Sequence, residues 1–259
     1  MAILFFDIDG TLWDKKNVIP DSTVTGLRRA KENGHRLFIC TGRTKAFVFD
    51  KNLLSLGFEG FSFGCGTHLE YQGRDCYYHG IPREQILDTV RTFRRYGMGV
   101  IVEGRQNLFI DTDVVGADAY GKRVMETLGE RMRTIAGQED VIEGSKYIVL
   151  IEGTDYPACI RELSADYDAA VHGGRAMEIV PKGFSKATGM RRMCELIHAD
   201  PADTFAFGDS PNDLDMLDCA GTAVVMGNGA KEAKAHADYV TDHIYRDGVY
   251  RALKHFGLI

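Results

Sequence analysis

The chain has 259 residues, 44% hydrophobic and 26% charged, with a formal net charge of −6. Those proportions belong to a soluble globular protein with room for one large core or two smaller ones. The acidic balance argues against a non-specific nucleic-acid binder, and no basic run appears that could track a phosphate backbone.

Cys40, Cys65, Cys76, Cys159, Cys194 and Cys219 form no C-x-x-C pair. Neither a zinc knuckle nor a dithiol redox motif is expected, and the thiols read as reduced and structural. Met1-Ala2-Ile3-Leu4 lacks a basic region and reaches Asp7 too soon for a signal peptide. No apolar stretch reaches the roughly 18–20 residues of a membrane span. A cytoplasmic protein without a membrane partner is expected.

Residues 3–6 are an apolar run that predicts a fully buried strand, and it ends in Asp7-Ile8-Asp9-Gly10-Thr11. Asp21 or Ser22 is placed to cap a helix over 24–33, with Gly34 beyond its end able to take positive φ. A second buried strand, 36–40, ends in Thr41-Gly42-Arg43. A helix is expected through Phe47, Phe49, Leu53 and Leu54, then a strand at 61–63. This β-α-β-α-β order implies a parallel sheet with right-handed crossovers. The rhythm then changes. Residues 68–71 and 76–79 read as a hairpin, and Ile81-Pro82 as a hinge.

Residues 83–181 read as an α+β block. Helices are expected at 84–96, within 117–128 and at 156–164. Strands are expected at 98–103, 108–110, 146–151, 169–172 and 177–180. After Pro181-Lys182-Gly183 the alternation returns. It gives a helix at 186–198, a strand at 204–207, and Gly208-Asp209-Ser210-Pro211-Asn212-Asp213. Further helices are expected at 214–220, 230–237 and 248–256, with strands at 222–226 and 239–240. The expected fold is α/β: a Rossmann-like parallel-sheet core from 1–82 and 182–259, interrupted by an inserted α+β cap at 83–181.

The chemistry gathers at strand ends. Asp7 and Asp9 repel each other unless a cation sits with them. Asp209 closes another buried strand in the same way, and open α/β sheets bind ligands outside the carboxyl ends of their strands. Several carboxylates without His or Cys suit Mg²⁺, which keeps waters and completes its shell with a substrate phosphate. Thr41, Gly42, Lys186 and Asn212 are groups suited to a dianion undergoing transfer. Taken singly, each has a plainer role as a helix cap, a turn or a solvated charge. Their shared placement in one domain favours a site.

Four stretches, Asp7-x-Asp9-Gly10-Thr11, Thr41-Gly42-Arg43, Lys186 in Gly183-Phe184-Ser185-Lys186, and Gly208 to Asp213, follow one another in the order and at the spacing of a known family. In them the chain resembles a haloacid-dehalogenase-like phosphatase of the Cof type, whose α/β cap is inserted between the second and third motifs. The likeness covers the core well and the cap only in size and position. It departs where the family often has Asn-Gly-Ala after the third strand; here Cys65-Gly66-Thr67 stands.

The resemblance implies hydrolysis of phosphomonoesters of small metabolites, sugar phosphates first, in two steps. It makes Asp7 the nucleophile and Asp9 the general acid and base. Mg²⁺ would be held by Asp7, Asp209 and the Asp9 backbone carbonyl, with Asp213 just behind them. Thr41, Gly42, Lys186 and Asn212 would hold phosphoryl oxygens, and Arg43 would line the entrance. The cap would close over the leaving group, offering aromatic (Phe109, Tyr120, Tyr147) and charged (Arg105, Arg175, Glu178) side chains. A phosphohexomutase or a non-catalytic ligand sensor is the alternative, and a monomer or weak homodimer is expected.

Overall fold

The computed structural model describes residues 1–116, 119–172 and 174–259. Contacts divide the chain into two units. One comprises Met1–Gly42, Phe49–Tyr77 and Ser185–Ile259, the other Arg43–Val48 and Tyr78–Phe184. In chain order the strands are β1 (Ile3–Phe6), β2 (Arg36–Cys40), β3 (Gly60–Phe63), β4 (His68–Tyr71), β5 (Arg74–Tyr78), β6 (Val100–Glu103) and β7 (Leu108–Ile110). They continue with β8 (Met132–Thr134), β9 (Lys146–Leu150), β10 (Tyr167–His172), β11 (Ala176–Pro181), β12 (Thr204–Gly208), β13 (Thr222–Val225) and β14 (Tyr239–Val240).

Among the described residues the first sheet has eight strands in the order β14-β13-β12-β1-β2-β3-β4-β5. From β14 to β3 every pairing is parallel, and β4 returns antiparallel to β3. β1 lies inside this sheet and is buried along its whole length, as a strand covered on both faces must be. Ile3 and Phe5 pack with Phe38, Met190, Met193 and Met216 on one side. Phe6, of opposite parity, stacks on Phe207 with ring centroids 4.4 Å apart. Burying each such side chain contributes about 1.5–3 kcal/mol, so β1 is anchored before its polar end is reached.

Three local expectations change. The first helix, Asp21–Glu32, begins after Pro20 with no side-chain cap; Gly34 follows it at φ +82° as expected. The helix foreseen around residues 47–54 is broken in two. Asp50 accepts the backbone N–H groups of Asn52 and Leu53 at 2.9 and 3.0 Å and so starts a separate turn, Lys51–Leu54. In the hairpin, Gln72 and Gly73 both have positive φ, +49° and +74°. That two-residue turn brings the second strand back at Arg74, ahead of the expected Cys76.

The second sheet runs β10-β11-β9-β6-β7-β8 among the described residues. It is antiparallel except between β7 and β8, and β8 is a strand the sequence pattern did not reveal. One face packs under the helices Arg83–Arg95 and Tyr156–Leu163. Ile86, Val90 and Phe93 meet Phe109, Tyr147, Val149 and Met177 there. Phe109 and Tyr147, offered above as recognition residues, are core residues at 3% and 0% exposure.

Residues of the other parity carry charge. Glu103 pairs with Lys146 in the ladder, and Glu178 pairs with Ile148. Lys146 forms an ion pair with Glu178 and lies 3.8 Å from Glu103. The Thr44 hydroxyl donates to Glu103 Oε2 at 3.0 Å. Burial raises the Glu103 carboxyl above its ordinary range, and Lys146 offsets part of that. Arg105 lies over the ring of Tyr78, 4.5 Å from its centroid, and Arg175 is exposed. The helix foreseen within 117–128 is described as Ala119–Leu128. Ala117 and the Tyr120 side chain lie outside the described residues. No described helix is long and apolar enough to cross a membrane.

Candidate active site

Strand register brings the acids together. Asp7, Thr41 and Asp209 are each the first residue beyond a strand, β1, β2 and β12. β1 pairs in parallel with both of the others, so all three stand at one carboxyl edge of the sheet. The backbone agrees: the Asp7 N–H donates to the Phe207 carbonyl at 2.9 Å.

Lys186 enters from the helix Lys186–Leu196. Ser185 caps that helix in a reciprocal pair with Thr188. The Cys40 thiol, at the end of β2, donates to the Lys186 carbonyl at 3.3 Å. The Lys186 ammonium is 1% exposed and lies 2.6 Å from Asp7 Oδ1 and 2.6 Å from Asp213 Oδ1. Burial alone would discharge this lysine, but Asp213 and Asp7 outweigh it, and its affinity for a proton rises. Asp7 is also pushed well up. Burial is the main cause, Lys186 opposes it, and Asp213 and Asp9 add to it.

Asp213 is held from behind. Its Oδ2 accepts the N–H groups of Asp209 and Ser210, each at 2.9 Å. Ligand oxygens of Asp7, Asp209 and Asp213 lie within 4.8 Å of one another. Asp209 Oδ1 is buried without a hydrogen-bond partner. Burial, then the Asp213 charge, raises the Asp209 carboxyl from 3.8 to about 7. Three carboxylates, Asp7, Asp209 and Asp213, gather around one buried ammonium, which Asp7 and Asp213 contact directly. An unsatisfied carboxylate oxygen in an all-oxygen set fits a hard divalent cation. Asp7 and Asp209 would hold it, and it would supply positive charge against phosphoryl oxygens.

Gly10 makes room for this. It takes φ +81°, and a Cβ there would run into the Asp209 carboxylate. Its carbonyl accepts from the Asn228 amide at 2.7 Å, and Asn228 Oδ1 accepts the Ile244 N–H at 2.9 Å. Asn228 was legible only as a turn residue between two glycines. Its role in fixing the loop depends on a contact 218 residues away in the chain.

The remaining predicted residues are placed as follows. Asp9 is exposed and accepts the Trp13 indole N–H at 2.9 Å. Thr41 is 1% exposed, its N–H on the Ser62 carbonyl and its own carbonyl accepting from Cys65 N–H. Asn212 Oδ1 accepts the Ser210 hydroxyl. Gly42 closes the first unit's first segment, whereas Arg43 belongs by its contacts to the second unit. Cys65, the departure from the family pattern, has φ +55° between Gly64 and Gly66, both also left-handed. Asn, the family's usual residue, tolerates that region better than Cys.

The sequence model of haloacid dehalogenase-like hydrolases matches residues 4–253. The chain belongs to the haloacid dehalogenase-like hydrolase family. YkrA of Bacillus subtilis (strain 168) is 30% identical over 99% of this chain and 98% of its own length. The 5-amino-6-(5-phospho-D-ribitylamino)uracil phosphatase YitU of the same organism is 27% identical, over 98% of this chain and 97% of YitU. Among solved structures, the subclass IIB sugar phosphatase BT4131 matches with a TM-score of 0.83 and 26% identity, covering 100% of both chains. The Cof-type resemblance drawn from the four motifs is borne out, and this haloacid dehalogenase-like enzyme is a phosphatase.

Proposed function

We propose that this enzyme is a Mg²⁺-dependent phosphomonoester hydrolase that acts on sugar phosphates and related small metabolites through an aspartyl-phosphate on Asp7. One observation carries the reading: Lys186 sits 2.6 Å from both Asp7 and Asp213, and a partnerless Asp209 oxygen belongs to the same cluster. A buried nucleophile paired with a cation, beside an unfilled oxygen site, suits a phosphoryl dianion. The sugar phosphatase BT4131 and the ribityl phosphatase YitU support the substrate class.

In this reading Asp7 attacks phosphorus, and the alcohol leaves with a proton from Asp9. Asp9 then takes a proton from water as the water oxygen bonds phosphorus and the bond to Asp7 breaks. Lys186, Thr41, Gly42 and Asn212 orient the phosphoryl oxygens. Mg²⁺ would rest on Asp7, Asp209 and the Asp9 carbonyl, with Asp213 behind, orienting Lys186.

The test is a panel of phosphorylated metabolites assayed for released phosphate and ranked by kcat/KM, with Mg²⁺ and with EDTA. Sugar phosphates at the top, silence in EDTA, and phosphate trapped on the Asp7 peptide in mass spectrometry are expected. Full turnover in EDTA, or undiminished turnover in Asp7→Asn, would overturn the metal or the nucleophile respectively.

A further inference from the structure

Trp13 is the only tryptophan in the chain. It is buried, at 2% exposure, yet its one polar atom points at an exposed carboxylate: indole Nε1 donates to Asp9 Oδ1 at 2.9 Å. The segment between them is tied into a closed loop. The Trp13 N–H reaches the Ile8 carbonyl at 3.1 Å, and the Trp13 carbonyl accepts the Gly10 N–H at 2.9 Å. A parallel bridge links Asp9 and Trp13. Asp14 locks the far side. Its Oδ1 accepts the N–H groups of Lys16 and Val18 at 2.8 and 2.9 Å, and its Oδ2 accepts the Tyr245 hydroxyl at 2.8 Å. The indole is thus held on a rigid frame, as a positioning group must be.

We infer that Trp13 is a positioning residue of the proton-transfer step, holding the Asp9 carboxyl through Oδ1 in the orientation that proton transfer requires. This rests on the reading of Asp9 as general acid and base. An indole N–H can only donate. Bonded to Oδ1, it fixes the direction in which the carboxyl faces the ester. The proton passes from the Asp9 carboxyl to the ester oxygen as the P–O bond to the alcohol breaks and the bond to Asp7 forms. In the second step a water proton returns to the same carboxyl. A tryptophan that merely filled the core would act on folding and would treat all substrates alike.

Leaving groups separate the two. An alkyl ester such as β-glycerophosphate needs its departing oxygen protonated, whereas p-nitrophenolate departs without help. Because the chain has one tryptophan, biosynthetic replacement by 3-benzothienylalanine changes position 13 alone. The ring keeps its shape and loses only its N–H. In that protein and in Trp13→Phe, the ratio of kcat for β-glycerophosphate to kcat for p-nitrophenyl phosphate should fall about tenfold, part of the 10²–10⁴ that general acid–base catalysis typically contributes. An unchanged ratio, including equal losses on both esters, overturns the inference. The benzothiophene protein decides the matter if Trp13→Phe does not fold. If the unmodified enzyme hydrolyses neither ester with Mg²⁺, the hydrolase reading itself fails and takes this inference with it. A normal wild type with an unmoved ratio removes the inference alone.

Discussion

The Lys186 ammonium and the Asp213 carboxylate meet at 2.6 Å, with both side chains at 1% exposure or less. Asp7 shares the same ammonium. Removing one member of a buried ion pair strands the other, at a cost of about 3–5 kcal/mol. Lys186→Met, close in volume, should therefore destabilise the protein in urea unfolding, and adding Asp213→Asn should restore part of the loss. Turnover should fall by more than about 10²-fold in both variants, the scale of losing one preorganised charge at a transition state. A single variant of wild-type stability would show that the pair is not desolvated as described.

In the proposed mechanism Asp209 would link pH to metal binding. Its folded carboxyl titrates near 7, against an ordinary 3.8. Between those values the folded protein binds more protons than the unfolded chain, so stability falls as pH rises. The contribution is present below about pH 4 and lost through pH 7. In EDTA the Tm should drop across that window, and Asp209→Asn should flatten the drop. Mg²⁺ at a hundred times its Kd stabilises by about 2.7 kcal/mol, or about 5–10 °C in Tm for a chain of this size. It should do so in the wild type and far less in Asp209→Asn. Melting curves at several pH values, with and without Mg²⁺, decide this.

What could be read from the sequence was what short-range pattern encodes. Ile3 to Phe6 and Leu37 to Cys40 are apolar runs cut off by polar residues and glycine, so both the strands and the edge that they share were legible. Contacts set by long-range packing were not. Asn228 holding the Gly10 carbonyl looks like turn chemistry until the chain is folded. Trp13 was missed for another reason: its partner Asp9 is four residues away, but an indole reads first as core. In the second unit, strand alternation should have warned that Tyr147, flanked by Lys146 and Ile148, faces the apolar side. The charged neighbours, not the aromatic one, point the other way. The helix around residues 47–54 failed for a local reason: Asp50 offers its carboxylate to two backbone N–H groups and restarts the chain there.

Gly10 tests how closely the proposed metal site depends on the loop. At φ +81° any L side chain is strained by about 1–2 kcal/mol. A methyl group would also press on the Asp209 carboxylate. Gly10→Ala should fold with a modest loss of stability, while the Mg²⁺ concentration giving half-maximal activity rises by more than about tenfold, equivalent to 1.4 kcal/mol of lost binding. Isothermal titration with Mg²⁺ gives the same comparison without turnover. Equal Mg²⁺ affinity in the two proteins would mean that the Asp209 carboxylate can withdraw without consequence, and that it is not a ligand.

The inserted-block reading makes a claim about folding. The first unit has its own buried cluster, built from Ile3, Phe5, Phe38, Met190, Met193, Ala206 and Val225. The second has another, built from Ile86, Val90, Phe93, Tyr147 and Met177. Among the described residues, neither cluster draws a member from the other unit's segments. If each core suffices for its own unit, replacing residues 83–181 by a short Gly/Ser linker should leave a protein that unfolds cooperatively in urea. Its m-value should fall roughly in proportion to the surface removed, and its circular dichroism should retain both helix and strand. The three carboxylates and Lys186 all remain in that shortened chain, so Mg²⁺ should still raise its Tm. A shortened protein that is molten, with a broad transition and no response to Mg²⁺, would mean that the parallel sheet needs the block to fold and that 83–181 is not an insertion into an independent domain.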